Sequence, residues 1–345
     1  MAKGLYQKAE DLCLSFLRDV EDNAYVHVYL GFSYLCHRQF DLAFAEHEKA
    51  YRLNPISLGG GSVGWRGVAL YCKDDFAGAE KILGALAKSI LFPARGKFQE
   101  TIDSGKRNLE KAKGDQEGQR DAYNELAYVL YRAGRYDDAY RAFSQYLRLS
   151  AECRKSSGES GMPYLPSQQK ADLSFKGRLQ ALMRSFEEAR KTAEELKLLI
   201  DKGRNTRELR WYEDMLGLIE FGRKNYPQAA EYFKSACGRL YFEAYMPDTF
   251  ERAALFDHLA RALYESGDFD GARGEYEKIT LLTLGKVGSG DIYAKAFYML
   301  GKIAEQQGDK VKAREHYTKF LDLWKDADPG LPEVDDARKR LAGLS

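Results

Sequence analysis

Residues 24–55 read AYVHVYLGFSYLCHRQFDLAFAEHEKAYRLNP, and the spacing within this stretch decides the fold. Leu30, Gly31 and Tyr34 share one face of a first helix, His37-Arg38-Gln39 supply a turn, and Phe40, Ala43, His47 and Ala50 share one face of a second. Pro55 closes the unit. A small residue on each helix lets two antiparallel backbones approach to the short end of the usual separation of about 8–10 Å, while larger residues fill the space around them.

The same pattern recurs outward along the chain. An aromatic residue followed three positions later by alanine occurs at Tyr6/Ala9, Phe40/Ala43, Phe76/Ala79, Tyr136/Ala139, Phe186/Ala189, Tyr226/Ala229 and Phe269/Ala272, and an eighth copy keeps only Ala313. Twelve residues before each alanine after the first stands Gly31, Gly67, Ala127, Gly177, Gly217, Ala260 or Gly301. Turn chemistry agrees: Gly134, Gly267 and Gly308 fit the left-handed residue that stops a helix, and Asp268 and Asp309 fit the cap that starts the next.

These residues resemble the tetratricopeptide repeat, whose units place Leu-Gly, Tyr, Ala, Phe, Ala and Pro at fixed offsets. Ala24–Ser57 matches at Leu30, Gly31, Tyr34, Ala43, Ala50 and Pro55, with His47 where the family has an aromatic ring. Further units carry Leu126, Ala139 and Phe143; Leu216, Gly217, Ala229, Phe233 and Ala236; Leu259, Ala272 and Tyr276; and Leu300, Gly301, Ala313 and Tyr317. Val63–Ile90 and Ala171–Ile200 are weaker copies. The resemblance implies an all-α, right-handed superhelical solenoid of about seven antiparallel helix pairs, one elongated array with a half-repeat at the N-terminus. A polar helix over 334–344 is expected to cap the other end.

The anchor alanines are unevenly spaced, at steps of 34, 36, 60, 50, 40, 43 and 41 residues. The longest step predicts an extra helix near 94–112, where Phe98, Ile102, Leu109 and Ala112 share a face. Residues 153–167, with Ser156-Ser157-Gly158 and two prolines, read as a loop between subarrays 1–152 and 168–345. The region 297–344 further resembles repeat regions of large bacterial signalling proteins that carry a kinase or cyclase domain. An unpaired first half-repeat exposes an apolar face, which points to self-association there or to cover by another segment.

Composition narrows the function. The chain has 345 residues, 53 Lys+Arg against 52 Asp+Glu, 13% aromatics and only 8 Pro. A net charge of +1 lacks the basic stripe that phosphate contact requires, so nucleic acid is not the expected partner. No apolar stretch approaches a membrane span, and dispersed cysteines without CxxC fit a cytoplasmic protein without disulfides or zinc. Gly59–Gly64 satisfies GxGxxG but follows Asn54-Pro55 rather than a strand, so it reads as an inter-repeat loop. His47-Glu48 lacks the second histidine of HExxH, because Tyr51 stands in its place. No catalytic, cofactor or metal constellation emerges, and the expectation is a non-enzymatic scaffold for a protein or peptide. The alternative is a regulatory segment of a larger signalling enzyme. By the family's register, Phe32, Asn124, Tyr128, Tyr131, Arg178, Trp211, Asp257, Arg261, Tyr264, Tyr298 and Lys302 fall on the concave face. Rings there give contact area at low entropic cost, and arginine offers forked donors.

Overall fold

The turn inside each predicted pair is a single backbone geometry used repeatedly. One residue takes a positive φ, and the next amide donates to the carbonyl five residues back: Gln39 to Tyr34, Arg135 to Leu130, Asn225 to Glu220 and Asp309 to Ala304, all at 2.8–2.9 Å. Gly134, Gly267 and Gly308 fill the positive-φ position as expected, at 73°, 87° and 79°. Arg38, Asp74, Arg184 and Lys224 fill it in the other turns, at 61–67°, a conformation that costs a non-glycine residue about 1–2 kcal/mol.

The computed structural model describes residues 2–19, 23–55, 61–84, 92–156, 165–240 and 250–344, in which there are helices and no strand. Helix α1 (Ala2–Asp19) stands alone and packs on α2. Five pairs follow in chain order: α2 (Ala24–Cys36) with α3 (Phe40–Leu53), α4 (Gly61–Cys72) with α5 (Phe76–Leu83), α7 (Gln116–Arg132) with α8 (Tyr136–Ser156), α9 (Pro166–Leu182) with α10 (Phe186–Gly203), and α11 (Leu209–Gly222) with α12 (Tyr226–Gly238). Then come α13 (Phe250–Glu265) with α14 (Phe269–Leu281), the one-turn α15 (Leu284–Val287), α16 (Gly290–Gln306) with α17 (Lys310–Leu323), and α18 (Pro332–Gly343). Pro332 begins α18 and buries Val334 and Ala337 against the last pair, two residues earlier than the expected cap.

Helix α6 (Phe98–Lys111) lies where an extra helix is expected. The same turn precedes it, with Gly96 at φ 71° and the Lys97 amide on the Phe92 carbonyl at 2.8 Å, so α6 starts as the second helix of a pair does. Helix α8 runs on to Ser156, into the expected loop 153–167, and residues 157–164 lie outside the described residues. Most of Gly59–Gly64 belongs to the start of α4, and its first two residues are outside the described set.

The anchor glycines are explained by what faces them. A Cβ on Gly217 would lie 2.4 Å from the Phe233 ring, one on Gly301 2.6 Å from Tyr317, and one on Gly31 2.7 Å from His47. Each large residue comes sixteen positions after the glycine and lies flat over the bare backbone, while the alanines at +12 are fully buried. Adding even one methyl group must displace the ring.

The array does not stay extended. It curls until its C-terminal third meets its N-terminal half, which corrects the expectation of an elongated array. The Tyr71 hydroxyl donates to the Lys286 carbonyl at 3.0 Å, and Trp324 Nε1 donates to the Ala94 carbonyl at 2.9 Å. Asp328 accepts from the Gln99 amide at 2.7 Å, and its own amide donates to Gly96 at 3.0 Å. Asp74 pairs with both Lys286 and Lys319, the latter at 2.7 Å. One apolar core accordingly joins Phe98, Leu126 and Phe143 to Tyr317, Phe320 and Trp324.

Three outcomes test this packing. Gly217→Val should cost about 1–3 kcal/mol in urea denaturation through overpacking, whereas an unchanged midpoint would contradict the ring-on-glycine fit. His47 is fully buried with neither ring nitrogen partnered, and burial lowers its pKa to about 3. Because the unfolded chain takes up that proton near pH 6.5 and the folded chain does not, stability should fall by about 1.4 kcal/mol per pH unit below 6.5. His47→Phe should raise stability and flatten that acid slope. Asp74→Asn removes the anion from the buried Lys286 ammonium and leaves it only the Tyr71 and Cys72 carbonyls; we expect a loss of about 2–3 kcal/mol and a larger radius of gyration by small-angle scattering.

Candidate functional site

A half-open cavity of about 460 Å³ lies between the later repeats. Two helices line most of it with residues at helical spacing: Asp257, Arg261, Tyr264 and Glu265 from α13, and Asp291, Lys295, Tyr298 and Lys302 from α16. Tyr131 and Arg132 close one side from the end of α7. Tyr136, Tyr226 and Tyr276 enter from second helices, Phe221 from α11 and Glu333 from α18.

The charges are arranged in two groups. Arg132 Nε donates to Asp291 at 2.9 Å, and Lys295 pairs with Glu333 at 2.7 Å, so these four offset one another. Arg261 has Asp257 only at 4.0 Å and otherwise lies over the Phe221 ring, 5.1 Å from its centroid, with 44% of its side chain exposed. The Lys302 ammonium rests over Tyr264 and Tyr298, at 5.1 and 5.6 Å, and makes no ion pair with the described residues. Rings orient a cation without neutralising it, so both retain charge for a ligand.

Burial works against the Arg261 charge, but Asp257 and Tyr276 outweigh it and its pKa is raised. Burial lowers the Arg132 pKa to about 10, still far above neutrality. The phenols move the other way: burial pushes Tyr131 up to about 12 and raises Tyr276 and Tyr298, the last helped by its bond to Asp336 at 2.7 Å. At neutral pH these hydroxyls are protonated, and that of Tyr298 already donates to Asp336. No three-residue cluster able to hold a metal occurs among the described residues.

Of the eleven residues expected on the concave face, Tyr131, Asp257, Arg261, Tyr264, Tyr298 and Lys302 line this cavity. The other five are engaged elsewhere or lie off it. Phe32 packs edge-on against His47 of its own pair and Trp65 of the next, with centroids at 5.4 and 4.5 Å. Tyr128 stacks on Phe175 at 4.3 Å, and Asn124 is half-buried on α7 without lining the cavity. Arg178 Nε pairs with the buried Asp214 at 2.8 Å, which also meets His258 Nδ1 at 2.7 Å; Trp211 Nε1 and Arg210 both donate to Glu251. Burial opposes the Asp214 charge, but Arg178 and His258 prevail and its pKa is lowered. That network ties α9, α11 and α13 together behind the cavity.

Sequence reasoning missed Arg132, Tyr136, Phe221, Tyr226, Tyr276 and Lys295. A signal for the rings was present: Tyr131 and Tyr136, Phe221 and Tyr226, and Tyr264 and Phe269 each stand five residues apart across a turn and meet at 5.3–6.2 Å. The family register counts first helices only, so rings opening second helices went unseen.

The family model described as tetratricopeptide repeat matches residues 98–152 and 258–332. No curated protein matches. Among solved structures, a tetratricopeptide repeat protein from Parabacteroides merdae is 14% identical with a TM-score of 0.45, covering 93% of this chain and 98% of its own. The APC/C hetero-tetramer Cut9-Hcn1 is 14% identical with a TM-score of 0.43, covering 97% and 58%. YrrB, described as a tetratricopeptide repeat protein with an unusual peptide-binding site, is 17% identical with a TM-score of 0.34, covering 69% and 99%.

Proposed function

We propose that the chain, which is a tetratricopeptide repeat protein, is a non-catalytic scaffold that takes a segment of a partner protein, or a peptide, into the cavity on its inner face. Proteins of this family bind protein or peptide partners. The observation that carries the reading is the convergence on one 460 Å³ space of protonated tyrosines and two cations, Arg261 and Lys302, held by rings. That volume lies within the range of about 300–1,000 Å³ usual for ligand sites and suits a few residues of chain. Tyrosine supplies wide contact at low rotamer cost, and the cations supply direction.

His258 reaches the cavity, but its Nδ1 is committed to Asp214 and no serine, cysteine or threonine lies among the lining residues.

Photo-crosslinking residues placed at Tyr264 and at Tyr298 should capture the same partner segment, while one at Ser235, exposed on α12, should not. Capture from Ser235 alone would show that the outer helices carry recognition and would overturn this reading.

A further inference from the structure

Residues 282–290 join the last two pairs through the one-turn α15 and run straight into α16 at Gly290. Thr283, Lys286 and Ser289 are buried in this connection, and Asp291 is buried just after it. The Lys286 ammonium donates to the Tyr71 and Cys72 carbonyls at the end of α4, at 3.2 and 3.4 Å, and pairs with Asp74. In return the Tyr71 hydroxyl donates to the Lys286 carbonyl at 3.0 Å, the Cys72 thiol to the Thr283 carbonyl at 3.5 Å, and Arg132 to the Gly288 carbonyl. These acceptors sit at helix ends or in the connection itself, where water can satisfy them once the segment withdraws.

Farther along, the seam is apolar. Trp324, 1% exposed, meets Phe98 edge-on at 6.1 Å, and a Cβ on Gly96 would lie 2.8 Å from Ala327 and 3.0 Å from the Trp324 ring. The backbone crosses here too, from the Asp328 amide to the Gly96 carbonyl. The two parts of the seam gain differently by closing. Burying a tryptophan is a large net gain, whereas a buried ammonium and carboxylate recover by attraction little more than they lose by leaving water.

We propose that residues 282–290 are a releasable clasp: they part from α4 and α7 while the Trp324 contact holds as a pivot and the helix pairs stay folded. Because α16 begins where the clasp ends, release draws Asp291 away from Arg132 and opens the cavity between α16 and α7. The clasp is thus a gate on the cavity, and the coupling is reciprocal: an occupant touching both walls holds the clasp shut. The inference stands apart from the scaffold reading, since it concerns the cavity's walls and not its occupant.

Two native cysteines read the gate in the full-length chain. Cys72 is buried against the clasp, and Cys153 is buried in α8. Each thiol's alkylation by iodoacetamide would be followed by peptide mass spectrometry and divided by its rate in the urea-unfolded chain. Cys72 should react at least about tenfold faster than Cys153, at a rate that low urea barely changes, because release exposes little surface. Gly217→Val lies in a pair intact in both forms, so it should speed Cys153 and leave Cys72 unmoved. Gly290→Ala would set a methyl group 2.0 Å from the Tyr71 hydroxyl and 2.3 Å from the Ala94 side chain, wedging the clasp without changing charge. It should speed Cys72 at least about tenfold, and Arg132→Gln, which cuts the tie on the cavity side, should speed it several-fold. Hydrogen exchange of the Asp328 amide should follow Cys153. Equal rates for the two thiols, with equal urea dependence, overturn the clasp, and the natural chain alone decides this. A Cys72 rate indifferent to Arg132→Gln overturns the gate on the cavity, and an Asp328 amide that exchanges in step with Cys72 overturns the pivot.

Discussion

The contact on which the rest depends is a large side chain lying over a residue with no Cβ. It sets the approach of the two helices in a pair, and that approach sets how each pair stacks on the next. Gly217 beneath Phe233 and Gly301 beneath Tyr317 are the same device at two places. Where the ring is replaced by His47, the geometry persists but the chemistry worsens, since two ring nitrogens are buried without partners. The fold tolerates such a residue because shape complementarity, not polarity, decides whether the pair closes.

Stacking then determines what the inner face can hold. Helices α13 and α16 each contribute a stripe at helical spacing, and the end of α7 meets them at one place. Residues from positions 131 to 333 meet there although no local pattern marks them as a group. Polar groups that do not reach the cavity satisfy one another behind it, as Asp214 does with His258 and Arg178.

The helix pairs were legible in the sequence because their anchors repeat at fixed offsets, and three glycine turns announced themselves. Closure was not legible. It depends on Asp74 meeting Lys286 and on Trp324 meeting Ala94, pairs more than two hundred residues apart whose encounter follows from accumulated rotation per repeat. The cavity was half legible for a related reason. A register counted along first helices found Tyr264, Arg261, Tyr298 and Lys302, but could not show that Arg178 and Trp211 would be drawn into the network behind.

Four of the turns inside helix pairs place a residue with a side chain in the left-handed conformation that glycine would occupy without cost, and two of these residues are at the closing seam. Arg38 donates to the Leu281 carbonyl at 2.9 Å, and Asp74 pairs with Lys286 and Lys319. The seam is therefore stitched by side chains that exist only because their turns accept backbone strain. Intervening repeats hold the two edges together at high effective concentration, so a few such stitches suffice where separate molecules would need a far larger interface. The ring can thus be tuned at its seam one turn residue at a time, with the packing inside each helix pair untouched.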